Sequence, residues 1–162
     1  MIGNDVVDLA LSRIESNWQR KGFLHKILTK NEQILIQNSE NQEIAVWILW
    51  SRKEAVYKIW NRKSRIRKYN PLQIECLDLE LSNGKVQIHN EIYYTKSDVN
   101  AEFIHSIAVS EVIQFENILL KTKTEAVEKI NGIPFYKSDN SKSKIISKSH
   151  HGRFEFIIEM IN

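Results

Sequence analysis

Residues 43–60, EIAVWILWSRKEAVYKIW, contain the pattern that decides the fold of this 162-residue chain. At 100° per residue, apolar side chains cover most of the helix circumference, which predicts a helix buried at the centre of the protein. Ser51, Glu54 and Lys58 nevertheless form one narrow polar stripe beside Trp47. Because charges on a buried helix are costly unless they pair or bind a ligand, we expect this stripe to form ion pairs or to bind a ligand.

Strand-like patterns lie on both sides of this helix in the sequence and predict an antiparallel sheet. Asn83-Gly84 is typical of a two-residue hairpin, and a phase slip between Cys76 and Leu77 predicts a bulge. We therefore expect an α+β protein of one domain, residues 1–162, with the long buried helix packed on an antiparallel sheet. The predicted strands are residues 2–9, 72–81, 85–94, 103–110 and 153–161.

Shorter helices and loops account for the remaining chain. Thr29 and Glu32 form a capping box, which predicts the start of a short helix over 33–38. Ser39 and Gln42 match a second capping box in front of the central helix. The other predicted elements are a helix over 10–21 ended by Gly22, a helix over 124–130, a turn at 131–134 and a polar loop at 137–148.

The composition limits the compartment and the partners. Cys76 is the single cysteine, which excludes an internal disulfide and favours a reducing, cytoplasmic compartment. We expect no signal peptide, because the first residues carry acids and no basic region. The longest apolar run, residues 44–50, is too short to span a membrane. The net charge of +3 fits an anionic ligand or an acidic partner.

Three groups of residues could carry chemistry. Asp5 could bind Mg²⁺, although taken alone it is better explained as the cap of a turn. Glu54 and Lys58 are one helical turn apart; an ordinary pair of this kind is worth about 0.3–0.5 kcal/mol, but the apolar surroundings favour a metal–phosphate site. Ser149-His150 can donate hydrogen bonds to a phosphate or form a plain polar loop. Adjacent histidines without a third soft ligand do not indicate zinc.

The basic stretch 62–68 has several interpretations. Most runs of charge are solvated surface, and this one could also bind a polyphosphate or nucleic acid. No glycine and aromatic RNA-binding signature flanks it, so nucleic acid ranks last.

The order and spacing of these residues resemble the 4'-phosphopantetheinyl transferase superfamily, in its short, holo-acyl-carrier-protein-synthase type. Lys148 departs from the apolar residue usual in the serine–x–serine–histidine motif, and residues 85–125 match no family motif. Asp8 matches an acid common in the short family. The matching blocks are Gly3-x-Asp5, Phe23-Leu24-x-x-Ile27-Leu28-Thr29-x-x-Glu32, Trp50-Ser51-x-Lys53-Glu54-Ala55-x-x-Lys58, Asn131-Gly132-x-Pro134 and Ser149-His150.

The resemblance implies a 4'-phosphopantetheinyl transferase-like fold and an Mg²⁺-dependent enzyme. Such an enzyme moves phosphopantetheine from coenzyme A to a serine of an apo acyl or peptidyl carrier protein and releases adenosine 3',5'-bisphosphate. The resemblance implies Asp5 and Glu54 as metal ligands. Glu54 and Lys58 would be catalytic, with Glu54 helping to deprotonate the acceptor serine. The implied cofactor-binding residues are Lys53, Lys58, Ser149 and His150.

The resemblance also implies partners. A single copy of the metal motifs predicts a homo-oligomer, with a trimer favoured, in which the serine–histidine pair of one subunit faces the acids of a neighbour. Carrier proteins of this class are acidic, and Arg13 and Arg20 would share a face of the first predicted helix. The alternative is a catalytically silent member that binds carrier protein or coenzyme A. Intact Asp5, Glu54 and Lys58 favour the enzyme, while the carrier protein and its pathway stay open.

Overall fold

A computed structural model describes residues 1–121, 127–130, 133–136 and 144–161. Its centre is helix α4, Gln42–Ser64, which Asn41 caps by accepting a hydrogen bond from the Ile44 N–H. Residues on most faces of α4 are buried, so the predicted central helix is confirmed and is longer at both ends. Neither α4 nor any other helix among these residues has an apolar stretch long enough to span a membrane.

An antiparallel sheet packs against α4 and confirms the predicted α+β class. The strand order is β1-β5-β4-β3-β2, and β1 and β5 lie against the helix. Gly3 allows this close packing, because a Cβ atom at that position would overlap the Ala55 carbonyl oxygen. The strands are β1 Ile2–Asp8, β2 Ile74–Cys76, β3 Asn83–Ile88, β4 Glu91–Val99 and β5 Phe103–Val109.

A second antiparallel sheet, with strand order β6-β10-β9-β8-β7, packs on the other face of β1. Ile2, Val109 and Ile158 form a small core between the two sheets. The predicted closing strand is confirmed as β10. The strands are β6 Ile118–Lys121, β7 Val127–Ile130, β8 Ile133–Tyr136, β9 Lys144–His151 and β10 Phe154–Met160.

Three short helices precede α4: α1 Leu9–Glu15, α2 Phe23–Ile27 and α3 Lys30–Gln37. The first capping box is confirmed, since Thr29 and Glu32 exchange side-chain to backbone hydrogen bonds at the start of α3. The second capping box is wrong. Ser39 donates its hydroxyl to the Ile36 carbonyl at the end of α3, which leaves Asn41 to cap α4.

The helix predicted over 10–21 is too long. α1 ends at Glu15, and the Asn17 side chain then accepts a hydrogen bond from the Gln19 N–H, a local turn that competes with helix. Gly22, with φ of +81°, stands immediately before α2.

The basic residues of this region are consequently arranged differently from the prediction. Since α1 stops before Arg20, Arg13 and Arg20 do not share a helical face. Arg13 donates two hydrogen bonds to the Glu43 carboxylate, at 2.8 and 3.1 Å.

The hairpin predicted at Asn83-Gly84 is wrong. Both residues lie inside β3, and the chain reverses at His89, whose φ is +52°. Gly84 serves packing instead, because a Cβ atom there would overlap the guanidinium of Arg52. A local turn signal is thus overridden by a distant side chain.

Arg52 also explains why β2 is shorter than the predicted strand 72–81. Its fully buried guanidinium donates to the carbonyl oxygens of Glu80 and Asn83, at 2.5 and 2.8 Å. Residues after Cys76 therefore leave the sheet to surround the cation, and the chain departs at the position where the bulge was expected.

Three predictions near the C-terminus are wrong where the structure describes them. Residues 127–130, expected in a helix, form β7; residues 133–134, expected in a turn, belong to β8; residues 144–148, expected in a loop, belong to β9. Pairing with neighbouring strands outweighs the local composition here. The remaining residues of these predictions, 124–126, 131–132 and 137–143, lie outside the described residues.

Candidate functional site

A cleft of about 450 Å³ lies where β1, α4 and the end of β9 meet. Its lining combines polar side chains with apolar and aromatic ones. The polar side chains include Asp5, Glu54, His150 and His151, and the aromatic ones include Trp47 and Trp50. The structure thus brings three of the predicted site residues, Asp5, Glu54 and His150, to one cleft.

Strand alternation and helical periodicity place the acids. Side chains of β1 point alternately to opposite faces, so Gly3 and Asp5 face α4. Glu54 and Lys58 are four residues apart and point to this same side of the helix. Lys58 Nζ lies 3.4 Å from Asp5 Oδ1 and donates to the Asn4 carbonyl oxygen at 2.6 Å. The lysine therefore pairs with the strand rather than with Glu54.

The protein disfavours the charged forms of the two carboxylates in the cleft. The pKa of Glu54 is raised to about 7, chiefly by burial and then by the nearby Asp5 carboxylate, while Lys58 opposes the shift. Burial likewise raises the pKa of Asp5, again against the effect of Lys58. Because a single ammonium does not balance this pair, an added cation would favour the charged forms of both acids.

The donor set fits Mg²⁺ shared with a substrate phosphate. Mg²⁺ prefers oxygen ligands and commonly binds one or two carboxylates together with phosphate oxygens. Asp5 and Glu54 supply two carboxylates on the same cleft. Among the residues the structure describes, no group of three His, Cys, Asp or Glu could hold a metal alone.

Ser149 and His150 point in opposite directions, one into the interior and the other into the cleft. His150 is exposed and lines the cleft. Ser149, 4% exposed, points the other way, and its Oγ accepts a hydrogen bond from Asn4 Nδ2 at 2.9 Å. His151 also lines the cleft, with its Nδ1 accepting the Asp8 N–H at 2.8 Å.

Lys53 does not reach the cleft, contrary to its predicted role in cofactor binding. Its side chain is fully buried, and its Nζ contacts Glu32 Oε2 at 2.5 Å and the Ile27 carbonyl oxygen at 2.9 Å. Glu32 in turn accepts the Cys76 N–H at 2.8 Å. Lys53 therefore joins α4 to α3 and β2, because residues 53 and 54 project from the helix about 100° apart.

Asp8 also has a structural environment. It caps α1 by accepting hydrogen bonds from the N–H groups of Ala10 and Leu11. The Arg153 guanidinium binds the same carboxylate at 2.9 and 3.0 Å and holds the pKa of Asp8 well below its usual range. Gly152 leaves room for this contact, since a Cβ atom there would lie 2.5 Å from Asp8 Oδ2.

The sequence did not lead to a prediction that aromatic side chains line the cleft. Trp47 and Trp50 are three residues apart on α4, next to the polar stripe, and this spacing was the available signal. Trp50 packs edge-on against Tyr69, with ring centroids 5.7 Å apart. The sequence predicts no role for His151, because adjacent histidines carry little information by themselves.

A single chain already brings the histidine and the two acids to one cleft, without a neighbouring subunit. His150 lines the same cleft as Asp5 and Glu54 of its own chain. This arrangement within one chain arises because β9 packs directly beside β1, and the facing of the histidine toward acids of a neighbour stays a prediction.

Comparison with known proteins gives one family and a consistent fold. The model of the 4'-phosphopantetheinyl transferase superfamily matches residues 1–110. A search of curated proteins finds no match.

Solved structures share the fold at low sequence identity. Apo-ACPS of Chronobacterium ammoiniagenes is 15% identical over 67% of this chain and 93% of its own, with a TM-score of 0.53. Helicobacter pylori holo-[acyl-carrier-protein] synthase in complex with coenzyme A is 16% identical over 68% and 100%, with a TM-score of 0.52. Thermotoga maritima holo-[acyl-carrier-protein] synthase is 12% identical over 99% and 83%, with a TM-score of 0.53. These likenesses confirm the predicted fold.

Proposed function

The chain belongs to the 4'-phosphopantetheinyl transferase superfamily, and from this premise we propose that it is a holo-acyl-carrier-protein-synthase-type enzyme. It would transfer 4'-phosphopantetheine from coenzyme A to a serine of an apo acyl or peptidyl carrier protein, releasing adenosine 3',5'-bisphosphate. One observation carries the proposal: Asp5 and Glu54 line the same cleft, and Lys58 lies against Asp5. The coenzyme A complex of the Helicobacter pylori synthase, which shares the fold, supports the choice of donor substrate.

Asp5 and Glu54 would hold Mg²⁺ in this enzyme. The bound metal would neutralise charge on the pyrophosphate of coenzyme A. The Lys58 ammonium would add a second positive charge beside the same phosphates, because it already lies at the Asp5 side of the cleft. His150, exposed at the cleft, would contact a further phosphate of the cofactor.

Glu54 is suited to accept the proton of the acceptor serine. A pKa of about 7 is close to the operating pH, where a general base is most effective. The serine oxygen would form a bond to the phosphorus that carries the pantetheine arm. The bond from this phosphorus to the bridging oxygen would break, and adenosine 3',5'-bisphosphate would leave with that oxygen.

Carrier protein would approach from the exposed surface around α1 and α2. Arg20, Lys21 and Lys26 are exposed there, whereas Arg13 is neutralised by Glu43. Opposite charges at the rim of an interface mainly raise the association rate. An acidic carrier protein is therefore the partner that this surface favours.

Assembly and compartment complete the proposal. We propose a homo-oligomer, with a trimer favoured, because the chain carries a single copy of the metal motifs. Light scattering measures the subunit number directly. The buried free thiol of Cys76 fits a reducing, cytoplasmic compartment.

Mass spectrometry of apo carrier protein incubated with the enzyme, coenzyme A and Mg²⁺ tests the activity. We expect a mass gain of one phosphopantetheine, which Glu54→Gln should abolish. Lys63→Met, which changes an exposed lysine remote from the cleft lining, is the matched control and should behave as wild type. Coenzyme A binding without any mass gain would instead establish the silent family member.

A further inference from the structure

Asn4, the residue between Gly3 and Asp5, occupies an unusual position for a polar side chain. It lies on β1, is completely buried, and points to the face opposite to Asp5, into the layer between the two sheets. Its Nδ2 lies 2.9 Å from Ser149 Oγ and 3.1 Å from His105 Nε2. A third acceptor, the Phe156 carbonyl oxygen, lies at 3.2 Å.

The Phe156 carbonyl fixes the orientation of the Asn4 amide. A carbonyl oxygen can only accept, so the NH₂ group of Asn4 must face it. The same NH₂ group then donates to Ser149, whose own hydroxyl proton is directed away from Asn4. His105 Nε2 lies beside the same NH₂ group, which has two protons for three acceptors, and the tautomer with the proton on Nδ1 avoids placing two donors against each other. One amide thus sets the donor and acceptor roles of two neighbours.

The backbone of Asn4 makes two further connections. Its N–H donates to Ser147 Oγ on β9 at 3.0 Å. Its carbonyl oxygen accepts from Lys58 Nζ at 2.6 Å, next to the Asp5 contact. Asn4 therefore joins the strand that carries Ser149 and His150 to the lysine and the acid on the other side of the cleft.

The Asn4 amide carries a cost as well as the three contacts described above. Asn4 Oδ1 is buried and has no hydrogen-bond partner among the described residues. An unsatisfied buried acceptor is destabilising, and an apolar residue of similar size would avoid it. What the amide adds is a fixed connection from β1 to Ser149 on β9, the strand that carries His150.

We propose that Asn4 is a positioning residue, which ties β9 to β1 through Ser149 and so holds His150 at the cleft with Asp5 and Lys58, where these side chains can together bind coenzyme A phosphates. The inference rests on the proposed function. It assigns to the variable middle residue of the glycine–x–aspartate motif a specific role in this chain.

Asn4→Leu removes the amide at nearly constant volume. We expect the KM for coenzyme A, and its Kd by calorimetry, to rise about tenfold, the effect of losing one hydrogen bond from a displaced His150 to a phosphate, while kcat falls less. In a Ser149→Ala background the same change should raise KM by less than about twofold, because its target is already absent. Asn4→Ser, which is smaller and cannot reach Ser149, provides the same test if the leucine variant does not fold.

Thr95→Val is the matched control. Thr95 is equally buried and donates one hydrogen bond to the Gly84 carbonyl, on the sheet but away from the cleft. It should lower thermal stability and leave the KM for coenzyme A unchanged. A stability loss in Asn4→Leu with wild-type coenzyme A binding, or full additivity with Ser149→Ala, overturns the inference alone. A wild-type protein that does not bind coenzyme A overturns the proposed function as well.

Discussion

Replacing Lys53 by methionine separates a structural lysine from a cofactor-binding one. Methionine keeps the apolar stem but removes the ammonium that the Glu32 carboxylate and the Ile27 carbonyl contact. Both charged side chains are 0% exposed, so the carboxylate would stay in the interior without its counter-charge. Removing one member of a buried pair costs about 3–5 kcal/mol. We expect Lys53→Met to lower the free energy of unfolding by this amount.

Thermal unfolding followed by circular dichroism measures the effect. A loss of 1 kcal/mol lowers the Tm of a domain of this size by roughly 2–4 °C, so the expected decrease is about 6–20 °C. Lys63→Met is the matched control, since Lys63 also lies 2.7 Å from a carboxylate, that of Glu91, but is half exposed. Such a surface pair is worth about 0–1 kcal/mol, and its Tm should barely change.

Coenzyme A titration below the Tm completes the test. The folded Lys53→Met protein should bind coenzyme A as wild type does, because the lysine is fully buried and does not line the cleft. Combining it with Glu32→Gln removes both charges and should restore part of the lost stability. A wild-type Tm for Lys53→Met together with weaker coenzyme A binding would refute this reasoning and return the lysine to the cofactor site.

Three further predictions concern the remaining charged residues. Lys58→Met should raise the KM for coenzyme A at least tenfold with a smaller effect on Tm than Lys53→Met, and a large Tm loss with normal binding would contradict it. Turnover at limiting Mg²⁺ should increase as pH rises through about 7, where Glu54 loses its proton, and saturating Mg²⁺ should move this midpoint to lower pH; a flat profile would exclude Glu54 as the base. Asp8→Asn should be less stable than wild type at neutral pH. Because the folded-state pKa of Asp8 is lowered, its contribution is complete above the unfolded value of about 3.8 and is lost as pH falls through the folded one, so the Tm difference should shrink in acid; a constant difference would show that the ion pair with Arg153 is not its source.

Local patterns in the sequence predicted the elements that local forces determine. The apolar circumference of residues 43–60 predicted α4, and the capping box at Thr29 predicted the start of α3. Asp5 and Glu54 were predicted together, and they meet because α4 packs on β1.

Long-range contacts account for what the sequence did not predict. Gly84 carries a turn signature, yet the structure uses its missing side chain to make room for Arg52, which is 32 positions away in the chain. Lys53 stands in a functional motif, and nothing local shows that Glu32 neutralises it. The second sheet was also missed, because β6 to β8 are short and gain their stability from neighbouring strands.

Arg52, Lys53 and Glu54 leave α4 in three directions, and together they permit only one rotation of the helix about its axis. Consecutive residues are 100° apart, so a helix turned by one position would place each charged side chain among the contacts of a different one. Each misplaced ion would cost several kcal/mol, whereas exchanged isoleucines and leucines would cost far less. The orientation of the Glu54 carboxylate in the cleft therefore depends on Arg52 and Lys53, which do not line the cleft. Transferring Arg52, Lys53 and Glu54 alone to another helix should not reproduce the site. The residues that contact Arg52 and Lys53 would have to be transferred as well.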